Sequence, residues 1–195
     1  MPATITSPLS AAVVGEYHAT DVWRDQTIYE IVSAHATDRP NATALRSSYR
    51  TFTWFELISW VDALAADLAS RGLKQGETVF VGSPNRMETV VALLSASRDG
   101  YVCCPSPHRN HTVSEIANMC ERAACAAYLH EPGHGADAKG DEILTAIGKL
   151  KSLRHIYRLG SADDGVPFAG LLRPNIEGGS EPKGNPDFVT YLAFT

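Results

Sequence analysis

Histidines carry the clearest chemical possibilities in this chain, and one group of them spells a metal site. His130-Glu-Pro-Gly-His134 reads HExxH, the pattern in which two imidazoles one helical turn apart hold zinc beside a glutamate that acts on the metal-bound water. That chemistry needs a helix. Pro132 and Gly133 occupy its middle, and in a helix interior they cost about 3 and about 1 kcal/mol. The expectation is therefore a solvated turn. His108 and His111 lie three apart, but Asn110 and the neighbouring prolines suggest a loop, and no third ligand is in view. The glycines of Gly133-His-Gly135 follow no strand directly and lack the third glycine of a dinucleotide fingerprint. Ser180-Glu-Pro-Lys-Gly184 is a faint phosphate-loop ending, but it precedes an apolar run instead of following one, so it too is expected to be a solvated loop. No Ser/His/Asp set assembles. No catalytic residue and no metal ligand is assigned from spacing.

The four cysteines (Cys103, Cys104, Cys120, Cys125) form no CxxC pair and no disulfide-dense pattern, so they are expected to be buried thiols of a protein in a reducing cytoplasm. Over 195 residues, 17 Lys and Arg stand against 22 Asp and Glu, a net charge of −5. That balance gives no field to hold nucleic acid or an anionic membrane. No apolar run approaches the roughly 20 residues of a membrane-spanning helix. Pro8 and the lack of a basic start argue against a secretory leader.

What must position any site is an alternation of helices and short apolar runs. Residues 1–22 show no sustained periodicity and read as a leading arm. Thr27 with Glu30, Thr53 with Glu56 and Thr112 with Glu115 are capping boxes, each opening a helical apolar pattern. Asn85 with Glu88 is read as a further cap, and Gly72 sits where a left-handed helix end is wanted. Leu45 to Phe52 suggests two short strands around a Ser-Ser turn. Val79–Gly82, Tyr101–Cys104, Ala126–Leu129 and His155–Leu159 read as strands, the first a continuous apolar run suited to burial on both faces. A helix on Ile143, Leu144 and Ile147 lies before the last. The pattern predicts an α/β fold with a largely parallel sheet flanked by helices. Residues 160–187 are a long Gly- and Pro-rich loop, and Phe188–Phe194 a strong strand. Ligands of open α/β sheets bind beyond strand carboxyl ends, so a strand followed by a single residue reads as cut ahead of its functional loop. The alternative is a natural edge strand with a blunt end.

Read in order, several segments resemble the adenylate-forming, AMP-forming acyl-CoA synthetase superfamily. Arg50-Thr-Phe-Thr-Trp-Phe-Glu-Leu57 resembles its TYxEL opening. Gly72-Leu-Lys-Gln-Gly-Glu-Thr-Val79 is similar to its GLxxGDxV turn, with Glu77 where aspartate is usual. Pro84-Asn85, Glu88 and the stretch to Gly100 resemble a PNxxExxxAxLAxxxxG segment, and Cys104-Pro-Ser-Pro with Glu115-Ile another. Pro186 to Thr195 is similar to the PDDxAxLxFT strand directly preceding the family's phosphate loop. The resemblance covers residues 23–195 and implies the N-terminal, incomplete portion of the large domain of such a ligase. It implies that a carboxylate attacks the α-phosphate of MgATP and that coenzyme A then takes the acyl group. ATP, Mg²⁺ and coenzyme A are thus the implied cofactors, and a small carboxylic acid (aromatic, alicyclic or medium-chain) the substrate. Only Thr195 carries over as nucleotide-binding; the remaining machinery would lie beyond it, and the 195 residues alone are expected to be inactive. The rival reading is a stand-alone α/β binding or partner module descended from a truncated synthetase. On either reading a cut, apolar sheet edge is expected to favour self-association, as a homodimer for instance.

Overall fold

The structure, a computed structural model, describes residues 5, 7–160 and 180–194. Its elements run α1 (Ala11–Ala19), α2 (Ile28–Asp38), β1 (Thr43–Arg46), β2 (Thr51–Thr53), α3 (Trp54–Ser70), β3 (Thr78–Gly82), α4 (Met87–Asp99), β4 (Val102–Pro105), α5 (Val113–Arg122), β5 (Cys125–His130), α6 (Glu142–Ile147) and β6 (His155–Arg158). β1 and β2 form an antiparallel hairpin, and β4-β3-β5-β6 a four-stranded, wholly parallel sheet.

All three capping boxes form, each threonine oxygen accepting from the N3 amide while the N3 glutamate reaches back to the cap amide. Gly72 takes the left-handed conformation at the end of α3, with φ 78°. Two features go beyond or against the expected pattern. The leading arm holds a nine-residue helix, α1, capped by Ser10 and burying none of its residues. An element with no buried face leaves no apolar period to read, which is why the sequence hid it. Asn85 does not cap α4 either: the cap position is Arg86, without a side-chain cap bond. Glu88 instead lies between the guanidiniums of Arg50 and Arg86.

Strand pleating divides the interior into two cores. Val79 and Val81 face one side of the sheet with Leu57, Val61, Leu64 and Leu68 of α3 and Val91 and Leu94 of α4. Phe80 faces the other with Cys104, Ile116, Cys120, Tyr128, Ile143 and Ile147. The result is three layers, helices on both faces of the sheet, as the continuous apolar strands require. All four cysteines are free and buried. Burial pushes the Cys103 and Cys120 thiols far up and that of Cys104 to about 12, so they stay protonated packing groups. Among the described residues no helix is long and apolar enough to cross a membrane.

The strong strand expected over 188–194 is present only as a fragment. Tyr191 forms a single parallel bridge with Cys103; Cys103 donates its amide to Thr190 O (2.8 Å) and accepts from the Leu192 amide (2.9 Å). β4 has no further amide to donate to this ladder. On that side the next amides would come from residue 101 or 105, and the Tyr101 amide is spent on Ala96 O while Pro105 has none. The segment still behaves as one-sided strand, with Leu192 and Phe194 packed on the second core and Tyr191 exposed.

Candidate functional site

β3, β5 and β6 end together at Gly82, His130 and Arg158, and the loops that follow them form the carboxyl edge of the sheet, where an open α/β fold receives its ligands. A cleft of about 580 Å³ opens there, walled by Tyr49 of the β1–β2 turn, Asn85 and Arg86 after β3, Glu131 and Pro132 after β5, and Arg158 to Gly160 after β6.

Arg86 is its hub. Its guanidinium, 9% exposed, donates to Glu88 Oε1 (2.8 Å) and Oε2 (3.1 Å), to Glu131 Oε2 (3.0 Å) and to Gly160 O (3.0 Å). Glu88 is 1% exposed and also accepts from Arg50, so one buried carboxylate joins the hairpin turn to α4. Burial alone would lower the Arg86 pKa, but the hydrogen bonds and charges of Glu88 and Glu131 outweigh it and hold the value above the ordinary arginine range. Arg109 adds a bond to Glu131 Oε1 at 3.2 Å. Arg109 and Arg158 keep their side chains 59% and 56% exposed, which gives the rim of the cleft two cationic groups that an anion can reach.

The HExxH residues sit on this edge but diverge. His130, fully buried at the end of β5, shares a 2.7 Å hydrogen bond between Nε2 and Asp141 Oδ1. Hydrogen bonds from Arg158 and His130 hold the Asp141 carboxyl below its usual range, so it is an acceptor and the Nε2 of His130 is the donor. His134, 2% exposed, has its Nε2 2.7 Å from Ser106 O; a carbonyl only accepts, so here too Nε2 carries the proton. Both Nδ1 atoms are buried without a partner among the described residues. Glu131 turns to Arg86 and Arg109. The expected solvated turn is thus corrected in its solvation, since both imidazoles are interior and hold the 131–141 loop against β5 and the residues after β4. His108 and His111 stand edge to face at 6.3 Å, and among the described residues no group of three or more His, Cys, Asp or Glu could hold a metal ion.

In Ser180-Glu-Pro-Lys-Gly184 the Lys183 and Gly184 amides both donate to Arg98 O, so they are committed to α4. The side chains of 180–183 are exposed as expected, while their backbone is docked. Thr195, the one residue expected to contact nucleotide, lies outside the described residues, as does most of the 160–187 loop. Residues 190–192 run parallel to β4 and therefore lead toward the same carboxyl edge. Sequence reasoning missed the Arg50–Glu88–Arg86–Glu131 network. Its only signal was Arg86 and Glu88 between an apolar strand and an apolar helix, and Glu88 was taken there as a cap.

A family model described as AMP-binding enzyme matches residues 32–195. The nonribosomal peptide synthetase AMT10 of Alternaria alternata is 30% identical over 194 residues, 97% of this chain and 19% of that protein. A ring-substituted propanoyl:CoA ligase of Mycobacterium tuberculosis is 35% identical over 130 residues, 65% of this chain and 25% of that protein. Among solved structures, apo MbtA of Mycobacterium smegmatis superposes with a TM-score of 0.73 at 25% identity, covering 96% of this chain and 34% of that one. The chain therefore spans about a fifth to a third of the length of these relatives.

Proposed function

This chain belongs to the AMP-binding enzyme family, the adenylate-forming ligases, and from that premise we propose that it is the N-terminal part of an acyl-CoA synthetase acting in the cytoplasm. A small carboxylic acid attacks the α-phosphorus of ATP; the carboxylate oxygen–phosphorus bond forms as the bond to pyrophosphate breaks, giving an acyl-adenylate. The thiolate of coenzyme A then adds at the acyl carbon and AMP leaves with the oxygen. Residues 23–195 supply the start of the large domain, and Thr195 opens the loop that meets the nucleotide. The observation that carries this reading is the course of residues 186–194. They resemble the segment before the phosphate loop in sequence, and residues 190–192 run parallel to β4 toward the edge where the Arg86 network lies.

What this chain's own residues contribute is placement. The Arg86 network fixes the loops after β3, β5 and β6 against one another, and fixed loops let a site hold its reactants in attacking geometry. Mg²⁺, when bound with ATP, neutralises phosphate charge; the described residues hold no cluster of acidic ligands for it, and no step is assigned to them through the ion. The relatives' names divide between a peptide synthetase and a CoA ligase, so the thiol acceptor is the finer half of the proposal.

Acid-dependent exchange of labelled pyrophosphate into ATP tests the first half in the intact ligase, with aromatic, alicyclic and medium-chain acids as the panel. Exchange with at least one acid is expected, with none from these 195 residues alone. No exchange with any acid overturns adenylation. Thioester formation on added coenzyme A is expected next; an adenylate that forms but is never passed to coenzyme A overturns the acceptor assignment alone.

A further inference from the structure

The segment that leads to the nucleotide loop is weakly tied to the sheet. Two backbone hydrogen bonds join residues 190–192 to Cys103, and β4 has no free amide on that side for a third. Beyond the packing of Leu192 and Phe194 on the second core, its register is held by what grips it upstream. On the inner side, Lys183 and Gly184 donate to Arg98 O at 2.8 and 2.7 Å, and Gln75 Nε2 donates to Lys183 O at 2.7 Å. Gly184 lies so close to α4 that a Cβ there would stand 2.0 Å from Ser97 O. The ring of Phe188 rests on Gly100 at the end of the same helix. Asn185 then turns the chain, accepting from the Asp187 amide at its side chain and from the Phe188 amide at its carbonyl.

The outer side of that turn is held by the N-terminal arm. Trp23 Nε1 donates to Pro186 O at 3.2 Å, and His18 Nε2 lies 2.8 Å from Asp187 Oδ1. The His18 and Trp23 rings stack at 6.0 Å with 30° between planes, Tyr17 adds a third ring, and the Trp23 amide donates to Tyr17 O. Helix α1 has no fully buried residue, and every described hydrogen bond from residues 7–23 to the rest of the chain ends on Pro186 or Asp187. Val13, Val14 and His18 of the helix are half-buried, and the arm's polar contacts with the rest of the chain converge on that one turn.

We infer that the arm is a clasp: His18 and Trp23 are positioning residues that fix the Pro186–Asp187 turn and so set the register of residues 190–194 ahead of the nucleotide loop. This rests on the adenylating reading for its catalytic consequence, not for the clasp itself.

Hydrogen exchange of individual amides in the intact protein tests it, using Trp23→Phe, which keeps the stacked ring and deletes the N–H, combined with His18→Ala. The Leu192 and Cys103 amides are expected to exchange about tenfold faster in the double variant, since two lost hydrogen bonds are worth about 1.4 kcal/mol or more together. The Val79 to Val81 amides are expected to be unchanged. His18→Gln alone, which restores a donor toward Asp187, is expected to exchange like the parent. In pyrophosphate exchange the double variant is expected to raise the KM for ATP about tenfold while leaving that for the acid alone. Unchanged exchange at Leu192, or equal acceleration of the Val79 to Val81 amides, overturns the clasp. A parent enzyme without pyrophosphate exchange overturns the adenylating reading instead, and the amide data still decide the clasp.

Discussion

Tyr128 shows what a single residue can conceal from its sequence. Its ring is fully buried between Phe80 and His130, yet its hydroxyl has no hydrogen-bond partner among the described residues. Burial pushes the phenol's pKa far up, so the group stays a neutral donor with no acceptor. Tyr128→Phe removes that unmet donor and keeps the ring. It is expected to raise unfolding stability by about 1 kcal/mol in urea titrations, against the usual loss for a core substitution. Glu88 is the opposite case, a buried carboxylate shared by Arg50 and Arg86. Glu88→Gln keeps the shape but deletes the charge, and breaking a buried pair is strongly destabilising. A loss of about 3 kcal/mol is expected by the same titration, at the low end for such pairs because Arg86 retains Glu131. Neither environment was legible in sequence. Residue type set the options, and the partners come from distant segments, Phe80 for Tyr128 and Arg50 for Glu88. The HExxH segment is not helical for a reason that was legible, the Pro-Gly pair, whereas the burial of both imidazoles was not.

Elements were read best where their ends carry their own chemistry. The three capping boxes are local, satisfied within four residues, and each opens the helix it announces. Asn85 and Glu88 offer a capping side chain and a glutamate at the same spacing, but the two guanidiniums nearby take Glu88 and the cap is not made. A paired substitution separates the two. Thr112→Ala is expected to cost about 1 kcal/mol of stability, the usual worth of a cap, while Asn85→Ala changes it by less than about 0.5 kcal/mol. Equal losses in chemical denaturation would contradict the assignment of Arg86 as the cap position. The 188–194 segment pairs less than its β propensity suggests, and part of the reason is tertiary: on that side its neighbour's remaining amide positions are one proline and one already bonded residue.

At the scale of the molecule, parallel strands and helices on both faces followed from continuous apolar runs separated by helical patterns. The strand order β4-β3-β5-β6 did not, because local periodicity carries no information on which strand lies beside which. Nor did the interior placement of titratable groups, and that placement shapes how the whole fold answers pH. Burial holds the His134 and His155 pKa values below the ordinary 6.5. Below that value the unfolded chain takes up protons that these folded imidazoles refuse, so stability falls as pH drops through the histidine range and is constant above it. Asp67 and Glu77 act in a separate, more acidic window. Hydrogen bonds from Arg71 and Tyr157, and from Arg154, hold these carboxyls below their usual range against the opposing effect of burial. Their stabilisation is complete near neutrality and is lost as pH falls through the carboxylate range. Two steps of acid loss are therefore expected. His134→Gln, whose side-chain N–H can still reach Ser106 O, removes one proton from the upper step and none from the lower. Between pH 6.5 and 5.5 the stability of the parent is expected to fall more steeply than that of the variant, by up to about 1.4 kcal/mol per pH unit, the most that one proton can supply. Parallel curves from urea titrations across that window would place the sensitive group elsewhere than in the loop that closes over the carboxyl end of β5.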